Sequence, residues 1–344
     1  MTRRKYGLLL TAAMAVATAK ADNITFADAN VKALCVANWD TNNDGELSTD
    51  EAAAVKSFGQ VFKGKKDITT FDEIRYFTGV TEIGESAFSG SSIGPELTIP
   101  GTVKIIGECA FKSCKSLKRI RIEEGVETVM LDAFSGPIEY ISFPSTITMI
   151  SSMAVNPYVT GETSSGITVP EGDLWVYSYA CSPADIDRFA FYYVFDESHI
   201  IVPPGRIDNY KAVRGWSHFH EYYELGDVNR DELLDETDLE NIISYLDGTE
   251  PEGFYADMAD INGDGDVDEK DIQLLRNYLY PPTYLLGDTN DDGVVNVQDQ
   301  INLITYLLGR TTEVFIQEAA DVNGDGAIDT LDAIGIIEII LGRR

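Results

Sequence analysis

Along the middle of the chain, apolar and polar positions return in a fixed order. Between Val80 and Pro203 an Ile-Gly-x-x-Ala-Phe segment is followed by a short turn, an alternating apolar strand and a proline. The clear copies are Ile83–Phe88, Ile106–Phe111 and Val129–Phe134, with Phe88, Phe111 and Phe134 each 23 residues apart; a weaker copy, Ile150–Val155, follows at 21. Strands are predicted at Leu97–Pro100, Ile120–Ile122, Ile141–Pro144, Ile167–Pro170 and Ile200–Pro203. Beyond Leu225 the period changes: Leu239, Ile242, Ile243 and Leu246 recur at helical spacing, as do Ile336, Ile337 and Ile340, which marks amphipathic helices.

A period of 20–29 residues with one strand per unit is the pattern of a leucine-rich solenoid, in which no unit buries its own apolar face and neighbours must stack. Phe88, Phe111 and Phe134 then form an internal ladder. Side chains alternate along a strand, so Thr98, Arg121, Ser142 and Thr168 point outward and are expected to line one exposed sheet face, a candidate ligand face. The repeats degrade after Val155, and the aromatic stretch from Trp175 to Tyr223 is expected to close the solenoid.

The chemistry lies in a loop pattern that occurs five times. A calcium loop takes ligands from positions 1, 3, 5, 7 (through a backbone carbonyl), 9 and 12, with glycine at 6 for the sharp turn, because Ca²⁺ is a hard cation that gathers six to eight oxygens. The first loop offers Asp40, Asn42, Asp44, Glu46, Ser48 and Glu51. The second offers Asp227, Asn229, Asp231, Leu233, Asp235 and Asp238, and the third Asp260, Asn262, Asp264, Asp266, Asp268 and Asp271. The fourth has Asp288, Asn290, Asp292, Val294, Asn296 and Asp299, and the fifth Asp321, Asn323, Asp325, Ala327, Asp329 and Asp332. Asp227 to Asp260 and Asp288 to Asp321 are both 33 residues, so loop and helix alternate twice in each of two modules. Glu232 replaces the turn glycine of the second loop, where a left-handed backbone costs about 1–2 kcal/mol. That loop is expected to be the weakest of the five. Up to five Ca²⁺ ions are the expected cofactor, and metal binding is expected to supply folding free energy to modules with small cores.

Charge follows the loops. The chain carries −31 overall, and from Leu225 to Arg344 there are 28 Asp and Glu against six Lys and Arg, a net of −22. Such a surface repels phosphate backbones, which excludes nucleic acid and anionic membrane as expected partners. At the start, Thr2-Arg3-Arg4-Lys5, an apolar run from Tyr6 to Val16 and small residues through Ala21 form an export leader. The run is too short to span a bilayer, which takes about 20 apolar residues. No lipid-anchor cysteine or sorting motif accompanies it, so the protein is expected to be secreted or associated with the cell surface.

Catalytic signals are weak. His218-x-His220 is half a zinc site with no third ligand at metal spacing, and no nucleophile elbow or phosphate loop occurs. The acids are accounted for by the loops, so the chain reads as a non-enzyme. Cys35, Cys109, Cys114 and Cys181 allow three disulfide pairings; Cys109 and Cys114 stand where the repeat wants small apolar residues, which favours buried thiols.

The Ile-Gly-x-x-Ala-Phe copies, Phe111-Lys112-Ser113-Cys114-Lys115-Ser116-Leu117 and the Val202-Pro203-Pro204-Gly205 segment running to Trp216 resemble the BspA-like leucine-rich repeat proteins of Bacteroidetes and other host-associated bacteria, over roughly Val31 to Leu225. The duplicated loops are similar to type I dockerin repeats over Leu225–Tyr280 and Leu285–Gly342. That resemblance implies calcium-dependent docking onto cohesin-like protein partners. The Ser-Thr and Lys-Arg pairs that contact cohesin in well-known members are absent: positions 10 and 11 are Glu236-Thr237, Glu269-Lys270, Val297-Gln298 and Thr330-Leu331.

The expected fold is therefore α+β. A leader (1–21) precedes an N-terminal EF-hand-like calcium segment and helical cap (22–80), a short leucine-rich-repeat solenoid with its closing segment (81–224), and two small all-α dockerin-like modules (225–282 and 283–344). The expected function is calcium-binding recognition or adhesion, with the solenoid binding a host or bacterial protein or glycan and the modules docking. The alternative is a non-catalytic component of a polysaccharide-degrading complex assembled by dockerin–cohesin pairing.

Overall fold

The structure, a computed structural model, describes residues 22–157, 173–191, 198–281, 284–312, 314–324 and 326–342. The expected leader, the strand expected at 167–170 with its Thr168, and the loop residue Asp325 lie outside the described residues. The chain divides into two compact units, residues 1–271 and 272–344.

The first unit begins with a helix, Ala29–Trp39, whose N-cap Asp28 accepts from the amides of Asn30 and Val31. After the first acidic loop comes the short helix Thr49–Ala54, started by a reciprocal capping box between Ser48 and Glu51, which satisfies amides that a helix start otherwise leaves orphaned. Trp39, Phe58, Phe62, Phe71 and Phe77 pack edge-on or tilted around one another and close this end of the solenoid core.

The solenoid has three faces of parallel strands. One sheet orders Glu82–Ile83, Ile105–Ile106, Thr128–Val129, Met149–Ile150 and Asp185–Ile186, one strand per coil; a second orders Phe111–Lys112, Phe134–Ser135 and Val155–Asn156. The longest contains Glu96–Ile99, Arg119–Ile122, Tyr140–Phe143, Leu174–Ser178, Ser198–Val202 and Glu221–Glu224, in chain order. Inside, the expected ladder is present: Phe88 stacks on Phe111 at 4.9 Å and Phe111 on Phe134 at 5.3 Å. Phe62 adds a further rung at 4.9 Å from Phe88. The coils are tied by in-register bonds such as Phe88 N–H to Ala110 O at 2.8 Å and Phe111 N–H to Ala133 O at 2.7 Å. Four successive coils make their corner at the same place, with Ser86, Cys109, Asp132 and Met153 left-handed at equivalent positions.

One strand differs from expectation. The neighbour of Tyr140–Phe143 is Leu174–Ser178, with Trp175 opposite Tyr140 and Tyr177 opposite Ser142. Leu174 and Val176 face the core while Trp175 and Tyr177 face outward. An outward row of aromatics hides the alternation that would mark a half-buried strand. The far end is closed by the buried Tyr210, whose hydroxyl meets Ser178 at 2.6 Å and donates to Ala180 O at 2.7 Å, and by Trp216, whose Nε1 donates to Ala184 O.

From the last strand the chain passes through Leu225 directly into the second acidic loop and the helix Glu236–Leu246. In the second unit the helices Val297–Leu307 and Thr330–Ile340 pack together over a small core of Leu303, Ala320, Val322 and Ile336. Among the described residues no helix is long and apolar enough to cross a membrane.

Candidate functional site

All five loops fold to one plan. The position-1 aspartate accepts the amide of position 6: Asp40 from Gly45 at 2.9 Å, Asp260 from Gly265 at 3.0 Å, Asp288 from Gly293 at 2.7 Å and Asp321 from Gly326 at 2.9 Å. Position 12 ties the start of the loop to its end. Asp271 takes the amides of Ile261 and Asn262 on one oxygen and of Asp268 on the other; Asp299 and Asp332 repeat the arrangement. At Asp238, Asp299 and Asp332 the position-12 aspartate is also the reciprocal partner of the N-cap residue in the capping box of the following helix, so the loop and the helix start are one structure.

Position 6 is left-handed throughout, at Gly45, Glu232, Gly265, Gly293 and Gly326. Glu232 holds φ at 68°, as the missing glycine implied. Position 4 is left-handed too, at Asn43, Arg230, Gly263, Asp291 and Gly324. The sequence carried that signal in the Asn, Asp and Gly found at four of these five places.

Among the described residues no three acids or other ligating side chains are drawn together on one point; the carboxylates turn to the loop's own amides. The donor set still fits a hard cation. All side-chain donors are oxygens, and Asp238, Asp271, Asp299 and Asp332 are fully buried. Asp260 Oδ1 is buried with no hydrogen-bond partner while its Oδ2 holds the loop together. Burying carboxylates without a counter-charge is costly. Burial, with Asp227 adding repulsion, pushes Asp238 up to about 6; burial pushes Asp260 to about 6 as well, against the opposing Arg121. A divalent cation in the loop would reverse that balance. In the first loop Glu51 makes the same bonds, to Thr41 and Asn42 on one oxygen and to Ser48 on the other, but it is only half-buried, and the Ser48 amide above all holds it down to about 2.

The expected ligand face is only partly open. Thr98 is exposed and Arg121 half-buried, but Ser142 is 2% exposed. It faces the expected side of the sheet without lining a free surface. Tyr177, outward on the next strand, and Tyr179, just past its end, are 2% and 9% exposed. What covers this face is the loop–helix segment that follows the solenoid. Arg121 Nη2 donates to Gly263 O at 2.6 Å and pairs with Asp260 at 3.5 Å. Arg119 meets Asp257 at 3.3 Å. Arg230 lies over Tyr255 at 3.5 Å, Trp175 at 4.2 Å and Tyr223 at 5.4 Å. Toward the first strands a pocket of about 460 Å³ remains, with Glu96, Thr98, Arg119 and Arg121 on one side and Asp257, Asp260 and Asp266 on the other.

Elsewhere the chemistry is sparse. The four cysteines are free thiols, with Cys35 and Cys114 buried, Cys109 half-buried and Cys181 exposed. His218 and His220 are exposed, and His199 stacks on Trp175 at 3.9 Å.

Residues 60–158 match the BspA type leucine rich repeat region in six copies, beginning within the segment expected to be the cap. Residues 225–280 and 286–341 each match the dockerin type I domain. No curated protein matches the chain. Both kinds of module are non-catalytic and serve protein interaction and docking. In-register coils around a phenylalanine ladder, followed by duplicated loop–helix pairs, thus agree with a chain that carries a BspA type leucine-rich repeat region followed by two type I dockerin domains.

Proposed function

We propose that this is an exported, calcium-loaded, non-catalytic protein that docks through its second dockerin domain and recognises a protein or glycan with its solenoid. The observation that carries the docking half is an apolar stripe repeated by the internal duplication. Ile301, Ile304 and Leu308 on one helix correspond, 33 residues on, to Ile334, Ile337 and Leu341, and all six are 43–64% exposed. The corresponding positions of the first domain are Glu240, Ile243, Asp247, Gln273, Arg276 and Tyr280, far more polar. Exposed apolar residues scattered singly mean little, but a contiguous stripe marks an interaction surface. A cohesin-like partner meeting this stripe would present apolar side chains and not the acids that a Lys-Arg pair would call for. Each dockerin loop would hold Ca²⁺ through the residues named above, and the first loop would do so through Asp40, Asn42, Asp44, Glu46, Ser48 and Glu51. On the solenoid, the open part of the candidate face is the rim around Thr98.

Capture from culture medium on the immobilised full chain, with calcium and then with chelator, tests this reading. A cohesin-bearing protein recovered only with calcium, and lost from an Ile301→Glu/Ile334→Glu variant, is the expected result. If that partner belongs to a polysaccharide-degrading assembly, the protein is a non-catalytic member of the assembly, a reading favoured by the tandem dockerin match. Recovery that is indifferent to calcium or to the stripe would remove the docking half.

A further inference from the structure

The outward face of the six-stranded sheet carries a row of large aromatics that a solenoid with an open ligand face would not need. Trp175 and Tyr177 stand on one strand, Tyr179 follows its last residue, and Tyr140 stands on the neighbouring strand; Tyr177 and Tyr179 are as buried as core residues. They are covered by two turns of the first dockerin domain, and both turns are acidic loops. Position 4 of the loop starting at Asp227 is Arg230, left-handed at φ 55°, with its guanidinium among Trp175, Tyr223 and Tyr255. Position 4 of the loop starting at Asp260 is Gly263, so close to the sheet that a Cβ there would stand 2.8 Å from the Tyr179 ring. Position 6 of that loop, Gly265, lies so near the Arg121 guanidinium that a Cβ there would push the guanidinium from its place.

The turn that would wrap the cation is therefore the same turn that meets the sheet. Gly263 and Gly265 are left-handed in the closed loop, and Asp260 holds that loop together by accepting the Gly265 amide. Arg121 engages the outer oxygen of Asp260 and the Gly263 carbonyl. Asp260 Oδ1, the buried oxygen without a partner, is left for the metal. Seating and metal binding draw on different atoms of one closed loop, so each favours the other.

We propose that the aromatic sheet face is the seat of the chain's own first dockerin domain, latched by Arg121 and Arg230, and that calcium in the loop Asp260–Asp271 holds the latch closed. This rests on the reading that the loops bind calcium and adds a regulation to it: the sheet is masked while the loop is filled and uncovered when it empties. Coupling between two sites is reciprocal, so the seat in turn raises the affinity of this loop for calcium.

Oxidative footprinting of the full chain, alongside a calcium titration by calorimetry, tests the latch. With calcium, Trp175, Tyr177 and Tyr179 are expected to be protected. In chelator they should oxidise roughly fivefold faster or more, the low end of ordinary coupling between sites, while Trp216 in the solenoid core stays protected in both. An Arg121→Ala/Arg230→Ala variant should lose the protection even with calcium. Calcium binding by calorimetry with no change in the footprint would overturn the latch and leave the calcium reading intact. No heat of binding at all would sink the calcium reading itself. Sheet aromatics that oxidise freely in saturating calcium would show that the seat is not occupied.

Discussion

Arg121, on the second strand of the long sheet, donates to the carbonyl of Gly263 at 2.6 Å across 142 residues of sequence. A guanidinium presents a planar fork of donors, and here one nitrogen serves both that carbonyl and the Asp260 carboxylate. The bond joins a repeat strand to an acidic loop of the first dockerin domain, two parts of the chain with unrelated sequence periods. It makes the part of the sheet face beyond Thr98 a buried interface and not a free surface.

Arg230 supplies the second grip, and its geometry is specific to arginine. A flat guanidinium covers Tyr255 at 3.5 Å and Trp175 at 4.2 Å, and a lysine would keep the charge while losing the stacking. Arg230→Lys is expected to cost about 1 kcal/mol in calcium, read as a lower midpoint of thermal unfolding by near-ultraviolet circular dichroism. An unchanged midpoint would mean that the rings make no use of the plane.

Glu232 is the one non-glycine at position 6, held at φ 68°. Relief of about 1 kcal/mol of backbone strain by Glu232→Gly should tighten calcium binding to its loop by roughly fivefold. The amide resonances of Val228 and Leu233, which sit in the loop, would report that site separately from the others during a titration. Weaker or equal binding would show that the strain is compensated elsewhere.

Much of this was written in the periods. The 23-residue recurrence of Phe88, Phe111 and Phe134 foretold the stacked ladder, because a side chain repeated once per coil must meet itself in the next coil. The turns of the five loops were legible because a turn of fixed length puts an aspartate at position 1 and a left-handed residue at position 6. Phe62 was missed because it joins the ladder from outside the Ile-Gly-x-x-Ala-Phe frame. Ser142 was read as exposed because alternation tells which side of a sheet a residue faces and says nothing of what lies over that side. The cover comes from Gly263 and Arg230, whose contacts are too distant in sequence to leave a pattern.

The ladder invites a direct measurement. Phe111 is fully buried and stacked on both sides, so Phe111→Ala should destabilise the solenoid by about 3–5 kcal/mol through lost burial and the cavity left behind. Ile105→Ala, on the same coil but 37% exposed, should cost far less. Denaturant unfolding followed by the fluorescence of the core residue Trp216 would compare the two. Equal losses would mean that the coils are held by their backbone bonds and not by the rings.

Removal of calcium should separate the parts of the chain by the size of their cores. The solenoid buries a continuous apolar cluster from Ile24 to Phe219, whereas the second unit rests on Leu303, Ala320, Val322 and Ile336 with a few half-buried neighbours. A core that small does little to resist the repulsion among Asp288, Asp292 and Asp299 once no cation offsets it. In chelator, amide exchange in the helices Val297–Leu307 and Thr330–Ile340 should rise to nearly that of an unfolded chain. The strands Arg119–Ile122 and Tyr140–Phe143 should stay protected, since their bonds belong to the solenoid. Helices that keep full protection in chelator would mean that their packing alone stabilises the fold and that metal is a passenger there.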